Sequence, residues 1–287
     1  MIVNLQELER RVLEAADTPP GAPLPTHAAT TVEQLLTALE HGDVRAARRG
    51  DDGVWHAVPW VKRGILLAFR AGRMVEIEGG GGSHSPFRFF DKHTVPPRAL
   101  RLESQVRVVP GGSAIRRGTY LAPGVVCMPP MYINVGAWVG GGTMVDSHAL
   151  VGSCAQIGER VHLSAAAQVG GVLEPVNASP VVIEDEAIVG GNCGVYEGTI
   201  VRRRAVLAAG VVLTRGTPVF DLVRETVYRA TAERPLEIPE GAVVVPGARQ
   251  VKGAWAGEQG LSVQTPVIVK YRDEKTDLAT ALEDWLR

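Results

Sequence analysis

Between Ile115 and Val219 an apolar residue returns at every sixth position, with one interruption. Ile115, Leu121, Cys127, Ile133, Val139, Val145, Val151, Ile157, Leu163 and Val169 make the first run, and Ile183, Val189, Val195, Val201, Leu207, Leu213 and Val219 the second. All 17 positions are apolar in a chain that is 45% hydrophobic, an outcome that chance gives about once in 10^6. A period of six fits neither a helix nor a long alternating strand. It fits a short strand and a tight turn, and the glycines directly after the apolar position, at 140, 152, 158, 170 and 190, let the chain bend without Cβ clashes. Three such strands close a triangular coil, and coils stack at about 4.8 Å with the apolar residues forming one inner column. The pattern predicts a parallel β-helix of hexapeptide repeats with close to six coils.

The flanks read differently. Residues 1–16, 31–41 and 59–70 carry helical apolar faces, with Thr30 or Thr31 a cap for the second and Pro59 in the first turn of the third. Two short strands are expected around Asp51-Asp52-Gly53, a flexible break at 79–83 (GGGGS), strands at 242–246 and 266–271, and a closing helix over 273–286 with Leu278, Leu282 and Leu286 on one face. The expected division is a mainly helical N-terminal domain over 1–100, the β-helix over 101–235 and a small C-terminal β/α cap over 236–287. The interruption, 171–182 (GVLEPVNASPVV), adds eight residues to one hexad and reads as an excursion loop, the kind of insertion that often carries a binding face.

Composition narrows the functions. A net charge of −1 supplies no overall basic field for nucleic acid or an acidic membrane. No apolar stretch of about 18 residues crosses a membrane, and the N-terminus lacks a signal-peptide pattern, so cytoplasmic residence is expected. Cys127, Cys154 and Cys193 form no CxxC pair and read as small buried hydrophobes. The glycines at 79–82 lack the Lys-Ser/Thr of a phosphate loop. Asp146 stands out because it puts a charge where neighbouring hexads carry Gly or Ser.

Several strings are more specific than the repeat: Arg107-Val108-Val109-Pro110, GTMVDSHALVGSCAQIGERVHLSAAAQVGGVLEP (142–175) and VVIEDEAIVG (181–190), with WHAVPWVKRGILLAFR (55–70), FFDK (89–92) and VIVKYRDEKT (267–276). Together they span most of the chain and resemble the tetrahydrodipicolinate N-succinyltransferase family. The resemblance implies a left-handed β-helix, a homotrimer with sites between subunits, and succinyl-CoA as co-substrate with no metal or redox cofactor. It implies lysine and diaminopimelate biosynthesis: succinyl-CoA, a cyclic imine dicarboxylate and water give N-succinyl-2-amino-6-oxopimelate and CoA. The Asp of the family's GTMVD motif, which binds the substrate's amino end, falls on Asp146, which is also the expected catalytic carboxylate. The Arg of its RVVP motif, which binds a substrate carboxylate, falls on Arg107. CoA is expected beside the later coils. There a backbone N–H of the small-residue turn Ala208-Ala209-Gly210 would polarise the thioester carbonyl, with Gly210 an expected CoA contact, and Lys252 or the run Arg202–Arg204 would meet a CoA phosphate.

The chain departs from the family pattern at two places. Gly194 stands where a related form carries a Glu assigned a catalytic role, leaving Glu197 and the loop residue Glu174 as other carboxylates, and Gly140-Gly141 stands where that form has Asp-Glu. Three other functions fit the repeat by itself: an acyltransferase using acetyl-CoA or a sugar amine, a non-catalytic scaffold, and a zinc hydratase. The last needs three His ligands, and only His148 and His162 lie in the repeat.

Overall fold

The computed structural model describes residues 4–77 and 88–273. The expected break at 79–83 and the closing helix with Leu278, Leu282 and Leu286 lie outside them. The repeat folds into a left-handed parallel β-helix whose strands are two residues long and pair eighteen residues apart, as in Tyr120↔Trp138 and Trp138↔Gln156. Three faces result. Face A stacks the strands starting at 120, 138, 156, 182, 200 and 237, and face C those at 114, 132, 150, 168, 194 and 212. Face B stacks those at 107, 126, 144, 162, 188 and 206, then continues into the antiparallel pair Ala242–Gln250 and Ser262–Tyr271. Parallel pairing thus runs past residue 235, through Glu237–Ile238 on face A and Val243–Val244 on face B. The eight extra residues before Val182 leave at the corner from face C to face A without disturbing register: Gln156 pairs with Val182 and Gln168 with Gly194.

The 17 hexad residues face inward and are buried, each contributing roughly 1.5–3 kcal/mol of transfer free energy. A second inward series lies two residues earlier, including Ala137, Ala149, Ala155, Ala167, Ala187 and Ala205, where small side chains fit the corner. Thr119, Thr143 and Thr199 also fill that series, and their buried hydroxyls donate to the carbonyls of Asn134, Gly158 and Tyr196. Three residues after the hexad position the backbone is left-handed at nearly every corner. Glycine holds it at 118, 124, 136, 142, 198 and 210, but His148, Cys154, Arg160, Ala166, Glu186, Asn192 and Arg204 hold it too. At the corner from face A to face B, three of these form a charged column. Glu186 stands between Arg160 (3.2 Å) on one coil and Arg204 (4.0 Å) on the next, with Arg203 at 2.6 Å.

Helices α1 (Leu5–Ala16), α2 (Ala28–His41) and α3 (Pro59–Ala71) form a second core that closes onto the coil through Val135 and Cys154. Helix α2 starts earlier than Thr30: His27 precedes it without a side-chain cap, and Thr31 is buried with its hydroxyl donating to the His27 carbonyl. Strands Ala47–Arg49 and Trp55–Ala57 form the hairpin around Asp51–Gly53. Polar contacts fasten this layer to face A. Arg45 Nε donates to Gln156 Oε1 (3.0 Å), Trp55 Nε1 to Glu184 Oε1 (2.9 Å) and Lys62 Nζ to the Ala178 carbonyl of the excursion loop (2.5 Å). The pair Met74–Ile77/Phe89–Lys92 has no counterpart in the hexad reading, and the last hexad residue, Val219, leaves the stacked rungs to form the hairpin Val219–Asp221/Thr226–Tyr228.

Candidate active site

The corner from face B to face C holds Asp146 and the small-residue turn Ala208-Ala209-Gly210. Asp146, Ser164, Gly190 and Ala208 stack there, because each backbone N–H donates to the next coil: Asp146 to Leu163, Ser164 to Val189, Gly190 to Leu207 and Ala208 to Val244. Beside them lie Ser147, Ala165, Gly191 and Ala209. Asp146 is the one carboxylate in this strip of small residues, and it is partly exposed. Its Oδ1 accepts from the Ser147 N–H at 2.7 Å, which fixes the carboxylate at the corner. Its Oδ2 stands 4.0 Å from His162 Nε2, on the neighbouring rung of face B. That is ion-pair range rather than a hydrogen bond. Sixteen residues apart in the chain, these two are brought together by the eighteen-residue coil.

Arg107 occupies the same outward column of face B, paired in register with Val126, which pairs with Met144. It is exposed and lies two rungs, or ~10 Å, from the coil of Asp146. In the other direction Ala208 lies three rungs, or ~14 Å, from Asp146. Gly210 ends that strip in a left-handed conformation (φ 79°). Its N–H, however, donates to the Gly191 carbonyl at 2.9 Å, so it is not available to a thioester. Among the described residues the neighbouring Ala209 N–H has no protein acceptor, and Ala209 is exposed. Of the turn Ala208-Ala209-Gly210, the Ala209 N–H alone is thus left without a protein acceptor among the described residues. The Gly210 carbonyl accepts from Gln264 Nε2 at 3.1 Å, which anchors the Ala242–Gln250/Ser262–Tyr271 arm beside the strip. Lys252 is exposed near the tip of that arm, just before helix α4 (Ala254–Glu258).

The remaining carboxylates and arginines lie elsewhere. Arg202 bridges Glu184 (2.9 Å) and Glu237 (2.7 Å), and Arg203 and Arg204 join the charged column, so the run is engaged in ion pairs on the other side of face B. Burial alone would raise the Glu184 carboxyl, but the Trp55 indole, the Arg202 charge and hydrogen bond and the Arg203 N–H outweigh it and hold it below the usual range. Glu174 and Glu197 line a cleft of about 1270 Å³ at the corner from face C to face A, between the excursion loop and the Asp52–Ala57 hairpin. Glu197 Oε2 accepts from the Arg215 N–H at 2.8 Å.

The two departures have packing causes. A Cβ at Gly194 would meet Tyr196 Cε2 at 2.5 Å and its hydroxyl at 3.0 Å, and one at Gly170 would meet Tyr196 Cδ1 at 2.8 Å. The Tyr196 ring therefore lies over both glycines, where a side chain from position 194 would stand. A Cβ at Gly140 would meet the Gly158 backbone at 2.5 Å, so the coil above excludes any side chain there.

All three cysteines are buried and unpaired in disulfides. Burial pushes the Cys127 and Cys154 thiols up to about 12 and raises Cys193 as well, the opposite of an activated nucleophile. Among the described residues no group of three His, Cys, Asp or Glu side chains is arranged to hold a metal ion, and no helix is long and apolar enough to cross a membrane.

Comparisons with known proteins point one way. Residues 12–71 match the family model described as tetrahydrodipicolinate N-succinyltransferase N-terminal, and residues 180–215 match the hexapeptide repeat of succinyl-transferase. A 2,3,4,5-tetrahydropyridine-2,6-dicarboxylate N-succinyltransferase from Bradyrhizobium diazoefficiens is 41% identical over 294 residues, covering 99% of this chain and 100% of the relative. The enzyme of the same name from Rhodopseudomonas palustris is 42% identical over 262 residues, 89% of each chain. A solved structure from Campylobacter jejuni, described as a 2,3,4,5-tetrahydropyridine-2-carboxylate N-succinyltransferase, superposes with a TM-score of 0.50 at 17% identity. It matches 90% of this chain, which spans 65% of that one, and it speaks to the fold alone.

Proposed function

The chain belongs to the tetrahydrodipicolinate N-succinyltransferase family, and from that premise we propose that it transfers succinyl from succinyl-CoA to tetrahydrodipicolinate along the corner strip between faces B and C. The observation that carries the reading is the lone carboxylate of Asp146 at one end of a strip with no bulky side chain. Arg107 pairs with a substrate carboxylate through its planar fork. Water first adds across the C=N bond and so turns the imine nitrogen into an amine; Asp146 accepts from that amine and takes its proton as the nitrogen attacks the thioester carbonyl. The N–C bond forms, the C–S bond breaks and CoA leaves as the thiolate. The pantetheine arm lies on Ser164, Ala165, Gly190, Gly191, Ala208 and Ala209, whose small side chains let it approach the backbone. Ala209 N–H faces the developing oxyanion, a contribution typically worth several kcal/mol. Lys252, on the arm, meets a CoA phosphate as a point charge. The Arg107–Asp146 surface is open on one protomer and is not part of the cleft that Glu174 and Glu197 line. In this reading a second copy covers it in a homotrimer, and the enzyme acts in the cytoplasm.

The test is CoA-thiol release with succinyl-CoA and tetrahydrodipicolinate. Release is expected with succinyl-CoA, and Asp146→Asn lowers turnover by about 10^2-fold or more with an unchanged melting curve. Release with acetyl-CoA alone sinks the donor assignment. A variant at near wild-type rate removes Asp146 from the chemistry, and a monomer that still turns over removes the shared site.

A further inference from the structure

A second cleft, about 360 Å³, opens on face A under the Ala47–Arg49/Trp55–Ala57 hairpin, a volume at the lower end of small-molecule sites. Its walls are aromatic. Tyr120 and Trp138 stack with ring centroids 3.8 Å apart, and Trp55 stands opposite. Arg45 lies among them, its guanidinium 3.8 Å from the Trp138 ring centroid and 5.6 Å from that of Trp55. Only its Nε is spoken for by the protein, donating to Gln156 Oε1 at 3.0 Å. Among the described residues no carboxylate reaches ion-pair distance of Arg45. Burial lowers its pKa to about 10, and the more distant Asp185 and Tyr120 offset this only in part, the mark of a cation stripped of water without a close counter-ion. The acidic residues nearby are already engaged: Glu184 by Trp55, Arg202 and the Arg203 N–H, and Asp185 Oδ1 by the Glu159 N–H at 2.8 Å. On the rim Arg49 lies 3.9 Å from Glu184, Arg203 pairs with Glu186 at 2.6 Å and Glu159 with Arg160 at 3.0 Å, so these charges are matched among themselves.

We propose that this cleft is a binding site for a small flat carboxylate, separate from the acyl-transfer strip. The carboxylate takes the free edge of the Arg45 fork, and the flat body slides against Trp138 and Trp55. Such a ligand supplies the missing counter-ion and fills the apolar walls together, which neither water nor inorganic phosphate does. Because Arg45 and Trp55 belong to the N-terminal layer while Trp138 and Gln156 belong to the coil, occupancy ties the two together.

The probe is benzoate, with benzamide as its neutral isostere, titrated into the full-length protein and followed by tryptophan fluorescence. Saturable quenching by benzoate is expected, with benzamide and inorganic phosphate at least about tenfold weaker. Arg45→Gln should weaken benzoate by about tenfold or more, whereas Asp146→Asn leaves it unchanged. Arg45→Lys keeps the charge and loses the fork, and should fall between the two. If Arg45→Gln does not fold, the isostere pair on the native protein and the Lys variant decide the matter. Equal binding of benzoate and benzamide, no saturable binding, benzoate affinity unchanged in both Arg45 variants, or loss of binding in Asp146→Asn would each overturn the proposal.

Discussion

The Tyr196 ring over Gly194 and Gly170 makes a prediction with a sign that depends on background. Gly194→Ala puts a Cβ 2.5 Å from Tyr196 Cε2, about 1 Å inside the optimal carbon–carbon separation. The ring is only partly buried, so it can swing out, and the cost is bounded by the burial it gives up. A Tyr buries ~150–250 Å² when enclosed; half of that is roughly 100 Å², or about 2.5 kcal/mol. Gly194→Ala should therefore cost about 1–2.5 kcal/mol, inside the ~1–3 kcal/mol range of overpacking. In a Tyr196→Ala background the clash is gone. Gly194 sits in a strand without positive φ, so the same change should be neutral or stabilise by ~0.4–1 kcal/mol through the unfolded chain. The coupling energy is then about 1–3.5 kcal/mol. The assay is urea unfolding of the four members of the cycle at one fixed protein concentration, since association shifts apparent stability. A Gly194→Ala effect equal in both backgrounds to within ~0.5 kcal/mol would refute the packing account. The same geometry says that a Glu cannot simply be restored at 194 while Tyr196 stays.

Three further outcomes are expected. With thiols raised to about 12, a thiolate fraction near 10^-4 at pH 8 is expected at Cys127 and Cys154, so a thiol reagent should label them only after denaturant is added; fast labelling of the native protein contradicts their burial. The Glu184 carboxyl is held below its usual value, so its contribution is complete above the unfolded pKa of ~4.3 and is lost as pH falls through the lower folded pKa. Native stability should therefore drop on acidification below about pH 4.5, and Glu184→Gln should flatten that drop; an identical pH profile in the variant rules out the carboxylate as its source. Lys62→Met removes the bond to the Ala178 carbonyl and should speed hydrogen exchange or proteolysis across 171–182 while leaving the coil protected; unchanged loop kinetics would mean the lysine does not hold the loop.

The coil was legible because its inner column is selected on one property, and Leu163 or Val201 cannot be polar without burying an unpaired group. The length of the excursion was legible for the same reason, since register past Val169 resumes only after eight added residues. Turn positions were less legible. Arg160, Glu186 and Arg204 adopt left-handed backbone that glycine would take at lower strain, yet a non-Gly residue there loses less chain entropy on folding, so composition at these corners drifts. The site was half legible. A charge among small residues drew attention to Asp146, but its closeness to His162 depends on pairing between coils. Which N–H of the turn Ala208-Ala209-Gly210 stays free was not legible, because backbone hydrogen bonding between Gly210 and Gly191 leaves no trace in side-chain identity. Tyr196 and Arg45 carried no local signal at all: their roles come from neighbours far away in sequence.

A hexapeptide core has a weakness that the charged column at Arg160, Glu186 and Arg204 addresses. Ile157, Ile183 and Val201 present nearly the same surface to whatever stacks on them, so the apolar column alone hardly distinguishes the correct next coil from the one after it. A nascent chain could loop out one coil and still close a well-packed triangle. The outer corner counts. Looping out the coil that carries Glu186 would set Arg160 against Arg204, turning attractions of roughly 1 kcal/mol each at ~5 Å in water into repulsion of similar size. Alternating sign at Arg160, Glu186 and Arg204 thus gives those three coils an address, and errors in their order during folding are penalised at the surface when the interior cannot detect them.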